Sequence, residues 1–213
     1  MSKLRALSLF AGIGGFDLGL ERTGGFEIVG QCEIEPFQRA VLRKHWPEVQ
    51  HIEDIHDIER FDCDVICGGF PCQPFSTASR GRRVAVDLWP EMRRVIDGSD
   101  PSYVIAENVS EYAIEIAADD LRTLGYNIAI RNISAHDCGA PHGRSRWWLV
   151  AHPTRKANFN APSMQKWPSC RNYVRAFGTQ KPTPEQFEFL MGYPIGFTEL
   201  KHSETLSFPK FHK

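Results

Sequence analysis

Cys72 stands between two prolines, Pro71 and Pro74, in the run Gly68-Gly69-Phe70-Pro71-Cys72-Gln73-Pro74-Phe75-Ser76. Proline fixes its own φ and restricts the residue before it, so this stretch is a rigid, non-helical loop. The apolar run Asp64-Val65-Ile66-Cys67 ahead of it reads as a buried strand that the two glycines end. A thiol held at the carboxyl end of such a strand stands where open α/β sheets bind ligands, a place that suits a nucleophile. A small buried cysteine that only packs is the competing reading, and the loop alone does not separate the two.

Further groups with chemical capacity sit at other strand ends. Phe10-Ala11-Gly12-Ile13-Gly14-Gly15 joins a first strand to a first helix, and its glycines let a ligand approach the backbone and the helix amides. Glu33 closes the second strand, where a carboxylate accepts from ribose hydroxyls in nucleotide-binding sheets; together they indicate a nucleoside-bearing cofactor. Asp54-Ile55 follows a third strand and suits an adenine edge, although an isolated aspartate is more often a surface acid. Glu107 ends the strand expected beside that of Cys72, where partial desolvation raises a carboxyl pKa toward proton-sharing range; capping the next helix is the alternative. Arg144 and Arg146 alternate before the last strand, which puts both guanidinium forks on one side of an extended segment, facing a carbonyl or a phosphate. His142 between them and the preceding turn reads as a hydrogen-bonding spacer rather than a titrating group. Arg80, Arg82 and Arg83 follow the cysteine loop, close enough to favour phosphate contact over a merely solvated face.

The elements that must position these groups alternate strand and helix. Strands are expected at Leu4 to Phe10, Phe26 to Glu33, Val49 to Ile52 (weakly), Val65 to Gly68 and Tyr103 to Glu107. Helices are expected at Gly15 to Glu21, Pro36 to His45, Leu88 to Ile96 and Ile114 to Leu124. Two last apolar runs, Ile128 to Ile133 and Trp147 to Ala151, pair through the turn-rich stretch between them. This order calls for an α/β fold with a largely parallel sheet covered by helices on both faces. Regularity is lost from His152 to Lys181, and a short helix from Pro184 to Met191, capped by Thr183 with Gln186 three residues on, precedes Gly192-Tyr193-Pro194.

A length of 213 residues suits one domain with a substantial core, or one with a small appendage. A net charge of −1 argues against a surface that grips nucleic acid everywhere, and leaves room for a local basic groove. The 6 cysteines form no Cys-x-x-Cys pair, so neither a zinc site nor a disulfide framework is expected, and they read as reduced thiols. No apolar run is long enough to span a bilayer and no signal-peptide pattern opens the chain, which makes a cytoplasmic location the default.

Taken together, the Phe-Ala-Gly-x-Gly-Gly turn, the Pro-Cys-Gln loop, Glu107-Asn108-Val109 and the paired arginines resemble the S-adenosylmethionine-dependent DNA cytosine-5 methyltransferases, over Leu4 to Ala151 and again over Pro182 to Thr198. The resemblance implies a Rossmann-like class I methyltransferase fold, mostly parallel with an antiparallel last strand. It implies a catalytic and cofactor-binding domain at 1–151, a very short target-recognition insert at 152–181, and a C-terminal helix and tail at 182–213 that pack on the catalytic domain. S-adenosylmethionine would be the cofactor, with S-adenosylhomocysteine as product and no metal. Phe10, Gly12, Ile13 and Gly15 would surround it, Glu33 would hold its ribose, Ile34 would flank its adenine, and Asp54 and Ile55 would meet the adenine edge. Gly69, Pro71 and Leu88 would complete the pocket.

On this resemblance Cys72 attacks carbon 6 of a cytosine, making carbon 5 electron-rich; Glu107 stabilises or protonates nitrogen 3, and Arg146, helped by Arg144, binds the base carbonyl. Duplex DNA would be the partner, its target base flipped out, with Gln73, Ser76, Arg80, Arg82 and Arg83 on the nucleic acid. A cytoplasmic or nucleoid-associated location in a bacterial host, in a stand-alone modifier of the phage or prophage kind, follows. His142 replaces the glutamine usual in the family, and the short 152–181 stretch points to a short or degenerate target. A carboxyl-terminal Gly-Asn-Ser/Ala-Val segment is not found, so other residues close that wall of the cofactor site or binding is weak. The same chemistry on RNA and an inactive nucleic-acid-binding relative are the alternatives. A nicotinamide-dependent oxidoreductase fits the glycine turn poorly and leaves the cysteine loop unexplained.

Overall fold

A computed structural model describes residues 2–71, 87–140, 142–153, 184, 188 and 191–200. The expected alternation of elements is the one observed. The strands are β1 (Leu4–Leu9), β2 (Phe26–Cys32), β3 (Gln50–Ile52), β4 (Val65–Gly69), β5 (Tyr103–Asn108), β6 (Tyr126–Ser134) and β7 (Ser145–Pro153). The helices are α1 (Gly15–Arg22), α2 (Pro36–His45), α3 (Trp89–Ser99) and α4 (Glu111–Thr123), with one 3-10 turn at Ile55–Asp57. The strands form a single sheet of order β3-β2-β1-β4-β5-β7-β6. β1 pairs in parallel with β2 and β4, β2 with β3, and β4 with β5, whereas β7 runs antiparallel to both β5 and β6. This is the Rossmann-like, mostly parallel arrangement expected, with its antiparallel strand inserted next to the edge.

Side chains alternate across the central strands, and each face meets its own helices. Leu7, Leu9, Ile66, Val104 and Ala106 pack against Met92, Val95 and Ile96 of α3 and Ile114, Ala117 and Leu121 of α4. Ala6, Ile28 and Val65 face the other way, against Val41 and Leu42 of α2, Trp46 and Phe197. β-Branched and aliphatic residues without polar interruption are what a strand buried on both faces requires.

Boundaries shift for local reasons. β1 stops at Leu9 because Phe10 takes a positive φ of 54° and turns the chain. α4 starts at Glu111, earlier than expected, because the Ser110 Oγ accepts from the Ala113 amide at 3.4 Å and caps the helix. β6 and β7 are longer than their apolar runs, since antiparallel pairing from Tyr126↔Pro153 to Ser134↔Ser145 carries polar residues into the ladder. Pro184, Glu188 and Met191 are helical, while Thr183 and Gln186 lie outside the described residues. The Glu188 carboxylate accepts from the amides of Gly196 and Thr198 and from the Thr198 hydroxyl, each at 2.6 Å. That turn carries buried Phe197 onto α2, where its ring stacks on His45 at 3.8 Å.

Candidate active site

β1, β2, β4 and β5 all run toward one edge of the sheet, and antiparallel β7 begins there. Candidate residues far apart in the chain are therefore delivered to one rim. Glu107, the penultimate residue of β5, pairs in register with Gly69 of β4 and Trp148 of β7. The Arg146 Nε donates to the Glu107 Oε1 at 2.8 Å, with the two side chains 20% and 21% exposed. Gly69 leaves the carboxylate its place, because a Cβ there would lie 2.8 Å from the Glu107 Oε2 and push it aside.

Burial raises the Glu107 carboxyl pKa above its ordinary value, against the opposing charges of Arg146 and Arg144. Burial, and then the charge of Arg144, lower that of Arg146. Arg144 is itself exposed, and its field reaches the pair without joining it in an ion pair. The charges of both arginines thus act on one carboxylate.

The strand that leads to Cys72 is tied to Glu107's strand by a residue whose role the sequence did not reveal. Buried Asn108 donates from Nδ2 to the Phe70 carbonyl at 2.9 Å and accepts from the Ser110 amide at 3.0 Å. In the sequence it stands in the middle of Glu107-Asn108-Val109, and its residue type is uncommon in strands, but neither signal names its partners. Pro71 is exposed and Leu88 half-buried, and the Leu88 amide donates to the Pro71 carbonyl at 3.2 Å, so Pro71 and Leu88 meet. Cys72 itself, Gln73, Ser76, Arg80, Arg82 and Arg83 lie outside the described residues. Among the described cysteines, burial pushes Cys32 up to about 12 and Cys63 up to about 11, and raises Cys67 well above its usual value. None of these three is a thiolate near neutrality.

At the β1 and β2 ends the glycine turn and Glu33 come together. The Glu33 carboxylate accepts from the Gly12 amide at 2.7 Å and from the Glu35 amide at 2.9 Å. Gly12 and Gly14 take positive φ, and a Cβ on Gly14 would strike the Trp46 ring at 2.4 Å. Phe10 and Ile13 are half-buried, Gly15 is exposed, and the Ile34 side chain is 60% exposed beside Glu33. Asp54 Oδ1 accepts from the His56 amide at 3.0 Å and pairs with its Nδ1 at 2.6 Å. These contacts hold the Asp54 carboxyl below, and the His56 imidazole above, its ordinary pKa. Ile55 follows Asp54 and opens the 3-10 turn. Its side chain is 4% exposed and belongs to the core beneath α3, because the 3-10 turn directs it inward.

Beneath the turn lies a second group missed in the sequence. Asp17, on the first turn of α1, accepts from the Ser8 Oγ at 3.0 Å and the Gln31 Nε2 at 2.8 Å, and burial pushes its carboxyl up to about 6. Amphipathic spacing gave no warning of an acid on the inward side of α1. Tyr193 reaches the same region, its hydroxyl 2.6 Å from where a Cβ on Gly15 would lie.

A family model described as C-5 cytosine-specific DNA methylase matches residues 4–194. The type II methyltransferase M.HgiBI of Herpetosiphon aurantiacus is 36% identical over 166 residues, which cover 70% of this chain and 37% of that protein. M.HhaI of Haemophilus parahaemolyticus is 28% identical over 162 residues, covering 70% and 49% respectively. The solved structure of a putative DNA modification methyltransferase encoded within a prophage (E. coli) is similar with a TM-score of 0.59 and 26% identity, over 71% of this chain and 47% of that one. Spodoptera frugiperda DNMT2 shares the fold, with a TM-score of 0.61 at 20% identity over 76% and 54%. The chain thus spans well under half the length of a relative such as M.HgiBI, at 37%.

Proposed function

The chain belongs to the C-5 cytosine-specific DNA methylases, and from that premise we propose that it transfers a methyl group from S-adenosylmethionine to carbon 5 of a cytosine in duplex DNA. The observation that carries this reading is the Glu107–Arg146 pair at 2.8 Å, on the same sheet edge as Gly69 and the start of the cysteine loop. An acid and a guanidinium side by side match the donor and acceptor pattern along one edge of cytosine.

The residues at the β1–β2 end fit the cofactor. Glu33, steadied by two amides, presents carboxylate lone pairs to ribose hydroxyls, and exposed Ile34 offers an apolar surface to a purine face. Phe10, Gly12, Ile13 and Gly15 border the same turn, Asp54 approaches from the end of β3, and Gly69, Pro71 and Leu88 lie toward the reacting side. Ile55, its side chain in the core, stands beside Asp54 at the adenine edge. When bound, the cofactor supplies a methyl group made electrophilic by a sulfonium.

Carbon 5 of cytosine is a poor nucleophile. The Cys72 thiolate forms a bond to carbon 6 and pushes electron density onto carbon 5. Glu107, with its carboxyl pKa raised by burial, retains a proton closer to neutrality and holds it toward nitrogen 3. Arg146 and Arg144 stabilise the charge that gathers on the base carbonyl. After transfer, the carbon 5 proton leaves to a base and the carbon–sulfur bond breaks, returning the thiolate. The target is reached by base flipping, with Gln73, Ser76, Arg80, Arg82 and Arg83 contacting the nucleic acid. Residues 1–151 form the catalytic unit in this proposal, 152–181 the target-reading insert, and 182–213 a segment packed on the catalytic unit.

The test incubates the protein with methyl-labelled S-adenosylmethionine and duplex DNA, transfer RNA or neither, beside Cys72→Ala. Label on cytosine of DNA, abolished by the substitution, is expected. Label on RNA alone reassigns the substrate, and no transfer with DNA retained on a filter makes the chain a binding protein. Duplex DNA carrying 5-fluorocytosine should trap a covalent complex through Cys72. Methylation without a trap would rule out the covalent route.

A further inference from the structure

Arg39 is on α2, and it is 8% exposed, which is unusual for an arginine unless it is fully engaged. Its Nη1 donates to the Glu33 carbonyl at 3.1 Å and to the Ile34 carbonyl, and its Nη2 pairs with the Glu53 carboxylate at 2.8 Å. A single guanidinium therefore fastens the chain leaving β2 to the chain leaving β3. The Glu33 amide donates to the Ile52 carbonyl at 3.1 Å and strengthens the same junction. The groups that emerge from it are Glu33, Ile34 and, one residue past Glu53, Asp54.

The cost of this arrangement is visible. Among the described residues Arg39 Nε is buried without a hydrogen-bond partner, and an apolar side chain of similar volume would serve a purely structural need as well or better. Glu53 is 64% exposed, so the ion pair itself adds little stability, and the two carbonyl contacts are the ones that fix geometry. One guanidinium nitrogen, Nη1, meets two successive carbonyls while Nη2 holds Glu53, and the rigid plane that joins them sets the position of the backbone carrying Glu33 and Ile34 relative to Glu53.

We propose that Arg39 is the positioning residue for the nucleoside half of the cofactor site, acting through the Glu33 and Ile34 carbonyls and Glu53 to set the spacing between the ribose-binding and adenine-binding strand ends. The inference rests on the cofactor reading above. It goes further, in locating the control of nucleoside affinity in a residue that touches no ligand.

Calorimetric titration of the full chain with S-adenosylhomocysteine and with 5′-methylthioadenosine, which lacks the amino-acid portion, provides the test. Wild type is compared with Arg39→Ala, Arg39→Lys and Glu53→Gln, each with a thermal melt. Arg39→Ala should weaken both ligands by roughly tenfold, the scale of losing a hydrogen bond to a charged group, with the ratio between the two ligands unchanged. Arg39→Lys should recover part of that loss, and Glu53→Gln should stay within about threefold of wild type because its bond is largely solvent-exposed. A folded Arg39→Ala that binds both ligands like wild type overturns the proposal. So does a loss confined to S-adenosylhomocysteine, which would place the effect at the amino-acid end. Should Arg39→Ala fail to fold, Arg39→Lys decides: full affinity for both ligands at an unchanged melting temperature overturns it. Folded wild type that binds neither ligand overturns the cofactor reading itself, so the two failures are distinct.

Discussion

Replacing Gly69 by alanine puts a methyl carbon 2.8 Å from the Glu107 Oε2, well inside ordinary van der Waals contact. Backbone movement there is opposed by the parallel ladder on both sides, where Gly68 pairs with Leu9 and Gly69 with Glu107. The carboxylate must swing instead, and its 2.8 Å bond to the Arg146 Nε is lost. A charge-assisted bond of this kind contributes about 1.5–3 kcal/mol. If that geometry serves the transition state, Gly69→Ala slows methyl transfer by about ten- to a hundredfold. Folding stability should fall by at most about 1–2.5 kcal/mol, because the pair is only a fifth exposed and alanine in a strand returns about 0.5–1 kcal/mol relative to glycine. Single-turnover transfer to duplex DNA at saturating cofactor, beside urea unfolding, measures both quantities. Full transfer activity in a folded Gly69→Ala protein would refute the assignment of the Glu107–Arg146 geometry to the reaction.

Asp17 gives a pH prediction. Its carboxyl pKa is raised from 3.8 to about 6 by burial, so its stabilising contribution is complete below 3.8 and is lost as pH rises through about 6. The loss is about 3 kcal/mol, and urea unfolding should show Asp17→Asn gaining on wild type by that order between about pH 4 and pH 7; a constant difference would contradict it. Glu33→Gln turns one amide acceptor into a donor facing Gly12 or Glu35, and S-adenosylhomocysteine affinity should fall by roughly tenfold in calorimetry. Ile66→Ala, in the middle of β4 with no exposed surface, should cost about 2–5 kcal/mol in chemical unfolding, with m unchanged.

Much of this architecture is written locally. The Pro36 start of α2, the Gly15 start of α1 and the apolar runs of β1, β4 and β5 are local signals, and each of these elements is where its pattern put it. Helix periodicity and proline geometry act over a few residues, so neighbouring side chains suffice to decide them. The placement of Glu33 and Glu107 was legible for the same reason: they end or follow apolar runs, and the rim of an open sheet is where such ends collect. The inward course of the Ile55 side chain was not legible, because an apolar residue beside an acid gives no sign of whether a 3-10 turn will face it outward or into the core.

What only the tertiary structure decided is pairing across distance. The contact of Glu107 with Arg146 depends on β7 inserting antiparallel between β5 and β6, an order no local pattern encodes. Arg39 reads in the sequence as one more charge on a helix, and Asp17 as an ordinary acid near a helix start. Their burial, and the partners that make it tolerable, exist only once β2, β3 and the helices above them have closed together. Residue type and spacing determined which groups this protein can bring to chemistry. Chain crossing and desolvation, which are properties of the assembled sheet, determined which of them face one another and how strongly they hold their protons.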